Sequence, residues 1–507
     1  MSGMELVVGV IGAADVCFRY GKSLIEAYRA IQVADTDIKD NVIVIEAIWT
    51  KVSLQLRLLE RIWTSLNEKY RGLQEQVLAV LARKLEAAIL QLSKADKRYN
   101  HTGDIFRGFL SRSKYVILVK KSLDQAIQEL KDWQGIFDPT WYVTTTNLDG
   151  PIIDGELARG NTQFTTFSTT IRIRAMLQDN SDNQTEIFLS RNRLATSRYS
   201  DIQFSTSQLV DIDPTLPPCI LDSAECAPDA DIHTLTKDVR SLASRLRTVN
   251  PLEFHLFNCF GVVKARDHIT HKVTSFHFVF RIPKGLQGPR SLREHLLYPD
   301  AWSSITDKLR IAKQLAISIS SVHTLKFVHK NVRPETILIL RDSNSIMSSL
   351  FLVGFKTFRM ADGRTLRKGD AAWETNLYRH PDRQWLQPEA DYTMQHDMYS
   401  LGVCLLEIGL GESFVVYDSD RNLSTTRSSA HLSDLDGSRP FKDHLLVLAR
   451  QRLPKMMGNI YTRVVVNCLT CTDEDNEDFG DESQFYDEDG VLIGVAYIEK
   501  VRLDIEV

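Results

Sequence analysis

The sequence contains no uninterrupted apolar run of the roughly 18–20 residues that a constitutive membrane helix needs, so no permanent span is expected. Cysteine is scarce. Seven residues in 507, an odd number without regular spacing, exclude a disulfide framework and suit a reducing compartment. Cys468-Leu469-Thr470-Cys471 is the one C-x-x-C; without a second pair or a nearby histidine it makes no zinc site, and no metal is expected. Strong net charge is also missing. With 61 basic against 65 acidic side chains the balance is −4, and nothing global points to nucleic acid. Glu5 stands where a secretory signal would carry positive charge, so export is not expected and the expected location is cytoplasmic. What remains is the composition of an ordinary globular protein, 43% hydrophobic and 25% charged, in a chain long enough for about two to four domains.

The charge is unevenly spread. Residues 1–135 hold 20 basic against 16 acidic side chains, the remainder 41 against 49; a mildly basic region can meet an acidic neighbour or an anionic lipid surface. This first region reads as helical. Ile45, Trp49, Val52, Leu56, Leu59, Trp63, Leu66 and Tyr70 alternate four and three apart and form one stripe. Leu78, Leu81, Leu85, Ala88 and Leu92 form a second, and Val116, Val119, Leu123, Ala126 and Leu130 a third. Gly72 and Gly103 mark expected turns between them, which favours an antiparallel bundle. Leu6 to Phe18 is apolar or small almost throughout, with Asp15 its only charge. A helix apolar on all sides is buried in a core or in lipid, and the residues alone favour the core. The bundle ends in Trp133-Gln134-Gly135-Ile136-Phe137-Asp138-Pro139-Thr140-Trp141-Tyr142. This W-Q-x-x-F-D-P-x-W-Y segment, after an apolar first helix, resembles the fungal HeLo domains of prion-inhibition and heterokaryon-incompatibility proteins over residues 1–142. The resemblance implies a cell-death effector whose first helix engages a membrane surface, with self-association or a protein partner.

A second resemblance rests on Val328-His329-Lys330-Asn331-Val332-Arg333-Pro334-Glu335-Thr336. The protein-kinase catalytic loop reads H-R-D-L-x-x-x-N, with Asp as base and Asn as magnesium ligand. Asn331 stands where that Asp belongs and Thr336 where that Asn belongs. Downstream, Leu352-Val353-Gly354-Phe355-Lys356 is similar to the approach to D-F-G, with Phe355 kept and Gly354 in place of the metal-binding Asp. His380-Pro381-Asp382 follows where A-P-E is expected. Asp397-Met398-Tyr399-Ser400-Leu401-Gly402-Val403 resembles the start of the central helix, whose Asp braces the catalytic loop. The resemblance implies a kinase-like fold in which His329, Asn331, Arg333, Thr336, Gly354 and Phe355 are degenerate site positions and Asp397 is structural.

Residues 143–285 are harder to read. Gly150, Gly155 and Gly160 are too far apart for a G-x-G-x-x-G loop, and Arg191, after an expected strand at residues 185–191, is the candidate for the phosphate-pairing lysine position. Pro214 to Asp231 reads as a loop, Leu235 to Arg247 as a helix, Phe254 to Val263 and Phe276 to Arg281 as strands, and Leu309 to His323 as a helix with His323 a packing or capping residue. Asp473 to Asp489 holds ten acidic residues without the spacing of a calcium loop, and reads as a solvated loop. The expected fold class is multidomain: an all-α helical bundle (1–142), then an α+β protein-kinase-like bilobal fold (143–507) divided near residues 285 and 286. The leading expectation is a pseudokinase-regulated effector without enzyme activity and without a required cofactor, ATP being the ligand left open. A divergent active kinase and a two-domain scaffold stand as alternatives.

Overall fold

The structure, a computed structural model, describes residues 3–32, 36–66, 68–100, 119–131, 133, 137, 187–190, 194, 197–212, 217–227, 230–298, 304–342, 348–356, 358–360, 372–384, 392–417, 426–428 and 438–476. The chain divides into two compact units, Met1–Arg174 and Ala175–Val507. The expected junction at 142 and 143 lies outside the described residues. An N-terminal helical region is followed by an α+β region with a mixed sheet, a layout compatible with a multidomain kinase-like protein.

In the first unit, helices α1 (Gly3–Gln32), α2 (Thr36–Ile62) and α3 (Glu68–Asn100) pack α1 against both others, and residues 119–131 are helical. Cys17, Leu24, Ile45, Leu56, Leu78 and Leu81 are buried, as the stripes require. Gly21 marks a close approach of α1 and α2: a Cβ there would meet the Trp49 indole at 2.1 Å. Trp133 is fully buried, donates from Nε1 to the Val77 carbonyl (3.0 Å) and stacks on Phe137 at 4.6 Å. The rest of the Trp133–Tyr142 motif lies outside the described residues, as do the side chains of the apolar stretch before Ala14.

The turn after α2 differs from expectation. Gly72 lies inside α3 with open space around it, and the chain instead turns through a 3₁₀ segment, Trp63–Ser65. One glycine costs a helix only about 1 kcal/mol. The Thr64-Ser65 step breaks it instead, and Arg71 reaches back to donate to the Trp63 (3.2 Å) and Thr64 (3.0 Å) carbonyls, satisfying groups a helix end leaves open. The eight-residue stripe therefore runs across two helices.

The second unit begins with a six-stranded sheet in the order β1-β5-β6-β4-β3-β2: β1 Phe188–Leu189, β2 Arg198–Asp201, β3 Gln208–Asp211, β4 Cys219–Glu225, β5 Asn258–Arg266 and β6 Val273–Arg281. β1 runs parallel to β5 and the other pairs are antiparallel. β4 occupies the middle of the stretch expected to be a loop. The flanking prolines and acids mask a strand whose Ile220 and Leu221 are both buried, one on each face, as period-2 alternation demands. Helix α4 (Ile232–Leu246) follows, capped by Asp231 on the His233 and Thr234 amides.

Beyond it come β7 (Leu286–Ser291), the short helix α5 (Leu292–Leu297), α6 (Ile305–Thr324), β8 (Phe327–Val328), β9 (Ile337–Asp342) and β10 (Ser348–Leu352). Next are β11 (Arg359–Met360), α7 (Met394–Leu410), β12 (Val415–Tyr417), β13 (Thr426–Ser428) and α8 (Ser438–Leu469). Every residue of α7 is buried, which marks it as the central pillar of this part, and α6 and α8 pack against it. Its C-terminal Gly411 adopts φ 71°, the left-handed cap that only glycine takes without strain. Cys468 and Cys471 are both buried at the end of α8, and burial pushes the Cys471 thiol up to about 12, which disfavours its thiolate. Among the described residues no helix is long and apolar enough to cross a membrane.

Candidate functional site

The loop between β8 and β9 is held from below by Asp397. This carboxylate, on the first turn of α7 and fully buried, accepts from the His329 amide (Oδ2, 2.8 Å) and the Lys330 amide (Oδ1, 2.9 Å). It also accepts from Tyr392 Oη (2.7 Å) and His323 Nε2 (2.9 Å). Burial pushes the carboxyl up, but the hydrogen bonds from His323 and Tyr392 and the adjacent imidazoles outweigh it and hold it at about 2. Lys330 sits at φ 65°, a strained conformation for a residue with a side chain, and the Asp397 contact to its amide fixes it there. His323, expected to pack or to cap, is a direct partner of Asp397. The His329 ring, buried and pushed down to about 4 by desolvation, lies edge-on to Phe355 at 4.8 Å. Phe355 in turn meets Phe278 and Phe280 of β6, which tie the loop to the sheet.

Asn331, Thr336 and Gly354 form one packed unit. Asn331 Nδ2 donates to the Gly354 carbonyl (3.0 Å). The Thr336 hydroxyl is shared between the Asn331 (2.8 Å) and Arg333 (2.9 Å) carbonyls and accepts from the Arg333 amide (3.2 Å). Gly354, at φ 88°, lies so near Thr336 that a Cβ would come within 2.3 Å of its Cγ2 and 2.7 Å of its Cβ. The residues at 336 and 354 are therefore coupled: with Thr336 in place, no side chain fits at 354. Replacing Gly354 by Ala lowers stability by about 2–4 kcal/mol through overpacking and the positive φ, read by urea unfolding. Adding Thr336→Ser, which removes Cγ2, returns part of that loss in a double-mutant cycle.

Asp222 of β4 completes the site and was not legible as a site residue. It is 1% exposed, and its Oδ2 accepts from the amides of both Gly354 (2.9 Å) and Phe355 (2.8 Å), while Ser207 Oγ donates to Oδ1 at 3.4 Å. Burial raises its pKa, with the Phe355 and Gly354 amides, Ser207 and the Lys356 charge opposing. The kinase resemblance puts its phosphate-pairing cation at Arg191, whereas the ionisable group buried on the strand leading into α4 is the Asp222 carboxyl. The sequence signal was obscured because β4 lies in a Pro- and Asp-rich stretch. Arg191, the sequence candidate for that cation, lies outside the described residues. Arg333, at the loop's edge, keeps its guanidinium 3.9 Å from Glu335 Oε2.

A magnesium ion held in the kinase manner does not fit these residues. Gly354 offers no carboxylate, and the Thr336 hydroxyl is committed to two carbonyls. A second cluster, His380, Asp382 and His396, brings three ligand-type atoms within 4.8 Å of one another. The Thr393 amide donates to His396 Nδ1 (2.8 Å), so the neutral ring carries its hydrogen on the other nitrogen; the cluster reads as the cap of α7, whose box pairs Thr393 with His396.

No family model matches the chain. A probable cell division protein kinase of Encephalitozoon cuniculi is 31% identical over 107 residues, 21% of this chain and 31% of that protein's length. The similarity supports a kinase-like region and corrects one expectation. The chain was expected to lack enzyme activity because Asn331 and Gly354 replace the base and metal ligand. The relative is named a kinase, which points toward an enzyme.

Proposed function

We propose that the second unit is a divergent protein-kinase-like enzyme of bilobal fold, and that it regulates the first unit, a helical bundle of HeLo type that engages a membrane surface or a protein partner. The reading draws on the kinase similarity, and one observation carries it: a loop in strained backbone geometry, braced by a buried carboxylate beneath and a Phe–His contact above. Strained backbone costs stability that its braces must offset, and it is expected where groups must be positioned. Phosphoryl transfer depends mainly on positioning and on electrostatic stabilisation of the transferring group. In this chain Lys330 adjoins Asn331 but its ammonium lies over the Tyr392 ring at 5.6 Å; Arg333, two residues on, is the cation this reading assigns to the phosphoryl group, and no step is assigned to magnesium. ATP is the phosphoryl donor this reading requires.

The test is γ-phosphate transfer from Mg-ATP by the full chain, followed by mass spectrometry of its own hydroxyl side chains. Slow transfer that falls about 10²-fold in Arg333→Ala is the expected result. Absence of both transfer and a nucleotide-induced rise in melting temperature overturns the enzyme. The effector half is read separately by binding and dye release with anionic liposomes; it rests on the apolar start of α1 and the docked Trp133–Phe137 pair, and a chain that neither binds vesicles nor self-associates overturns it.

A further inference from the structure

The two faces of β4 meet different surroundings. Asp222 turns toward the Gly354 and Phe355 amides, so period-2 alternation points Leu221 and Ser223 to the opposite face of the sheet. Strand register sets Ser223 beside His277 of β6, and His277 beside Val263 of β5. Leu221, Val263, Val210 and Val279 form a buried apolar cluster on this face, together with Leu194. A cavity of about 400 Å³ opens here, its apolar lining formed by Leu194, Leu221, Val263 and Ala265. Small-molecule sites occupy roughly 300–1,000 Å³ and combine apolar walls with a few placed polar groups.

The polar groups of the lining decide what chemistry fits. Tyr199 Oη donates to the Leu194 carbonyl (2.9 Å), and Gln208 Nε2 donates to Asp201 Oδ1 (2.7 Å). Ser223 Oγ lies 2.7 Å from His277 Nδ1, and Ser275 Oγ lies 3.1 Å from His277 Nε2. A neutral imidazole has one donor and one acceptor nitrogen, so one serine donates to the ring and the other accepts from it. Ser223 keeps the other half of its hydroxyl for the cavity: lone pairs when it donates to Nδ1, a hydrogen when it accepts. A change of tautomer exchanges the two. Among the described residues no fixed charge lines the cavity, and burial lowers the His277 pKa, which keeps that ring uncharged at neutral pH. An ion entering here loses its hydration without meeting a counter-charge. The floor is pleated sheet with short or branched side chains, a surface that a flat ring covers well.

We infer that this cavity binds a neutral, flat heteroaromatic molecule, which lies on Leu221 and Val263 and exchanges a hydrogen bond with Ser223. The site is on the other face of the sheet from Asp222 and does not rest on the proposed function. Its test is a titration of the full chain, labelled at Leu and Val methyl groups, with 7-azaindole, a neutral bicycle carrying one N–H donor and one ring acceptor. Saturable shifts of the Leu221 and Val263 methyl signals are expected, while benzoate and benzylammonium produce none. Ser223→Ala weakens binding about tenfold. Ala265→Phe, which fills the cavity, abolishes it, and melting temperatures establish that both variants are folded. If Ala265→Phe does not fold, Ser223→Ala decides the matter alone. Absence of saturable shifts overturns the site, as does unchanged affinity in Ser223→Ala. Equal binding of benzoate overturns the neutral ligand, and so does displacement of 7-azaindole by Mg-ATP.

Discussion

Asp397→Ala lowers the stability of the protein by about 3–5 kcal/mol, because four buried donors lose their acceptor at once. The His329 amide is buried and loses its acceptor, and the strained Lys330 backbone loses the brace on its amide. A melting temperature lower by roughly 5–10 °C is expected; an unchanged value would mean that the carboxylate does not support the loop. The pH dependence has a definite sign. The Asp397 carboxyl, at about 2 in the fold, titrates near 3.8 when free, so its stabilisation is complete above about pH 4 and is lost as pH falls through about 2. The gap between wild type and Asp397→Ala therefore narrows only in strong acid. His329 acts earlier. Its ring stays neutral in the fold down to about pH 4 but takes a proton at about 6.5 when unfolded, so both proteins lose stability between those values.

Arg293→Ala has an effect of similar size for a different reason. This guanidinium, 0% exposed, donates to Glu335 Oε1 (3.0 Å), Glu407 Oε1 (3.0 Å), Ser413 Oγ (2.6 Å) and Tyr378 Oη (2.6 Å). Its removal leaves Glu407 buried without a counter-charge and Glu335 with only Arg333, 3.9 Å away, at a cost of about 3–5 kcal/mol. Lysine does not rescue the fold, since a point charge cannot serve four acceptors spread around a planar fork. Burial raises the Glu407 pKa against the Arg293 charge, and without Arg293 it rises further. The deficit in Arg293→Ala consequently shrinks on mild acidification, and Glu407→Gln added to it restores part of the loss. Urea unfolding at pH 7 and pH 5 measures both. A deficit that grows with acid contradicts this account of the cluster.

Glu335 links this cluster to the site. Its carboxylate is held below its ordinary value: burial raises it, but the Arg293 and Arg333 charges prevail. Its carbonyl accepts from Ser205 Oγ, between β2 and β3.

How much of this was legible in the chain differs by element. The stripes of α2 and α3, the helix α6, the strand β6 and the landmarks at His329, Phe355 and Asp397 are written in local periodicity and short motifs, because helix faces, strand faces and tight loops constrain residues that are near one another in sequence. The Asn331, Thr336 and Gly354 substitutions were readable as departures from a pattern. Their consequence was not. That Gly354 is excluded from bearing a side chain follows from a 2.3 Å approach to Thr336 across eighteen positions, and no local pattern encodes such a distance. Asp222 was read as part of a loop because prolines and acids outweigh a seven-residue strand in any short window. Its role depends on the pairing of β4 with β6, which brings it opposite Phe278 and above the Gly354 amide. Arg293, an unremarkable charge at the start of a short helix, became a buried hub only because Glu335 before β9, Tyr378, Glu407 of α7 and Ser413 before β12 converge on it. Sequence by itself determined the helical stripes of the first unit, α6, β6 and which loop carries the site. The tertiary structure decided which charges are buried, what satisfies them and what closes over them, because desolvation and hydrogen bonding depend on neighbours that chain order does not reveal.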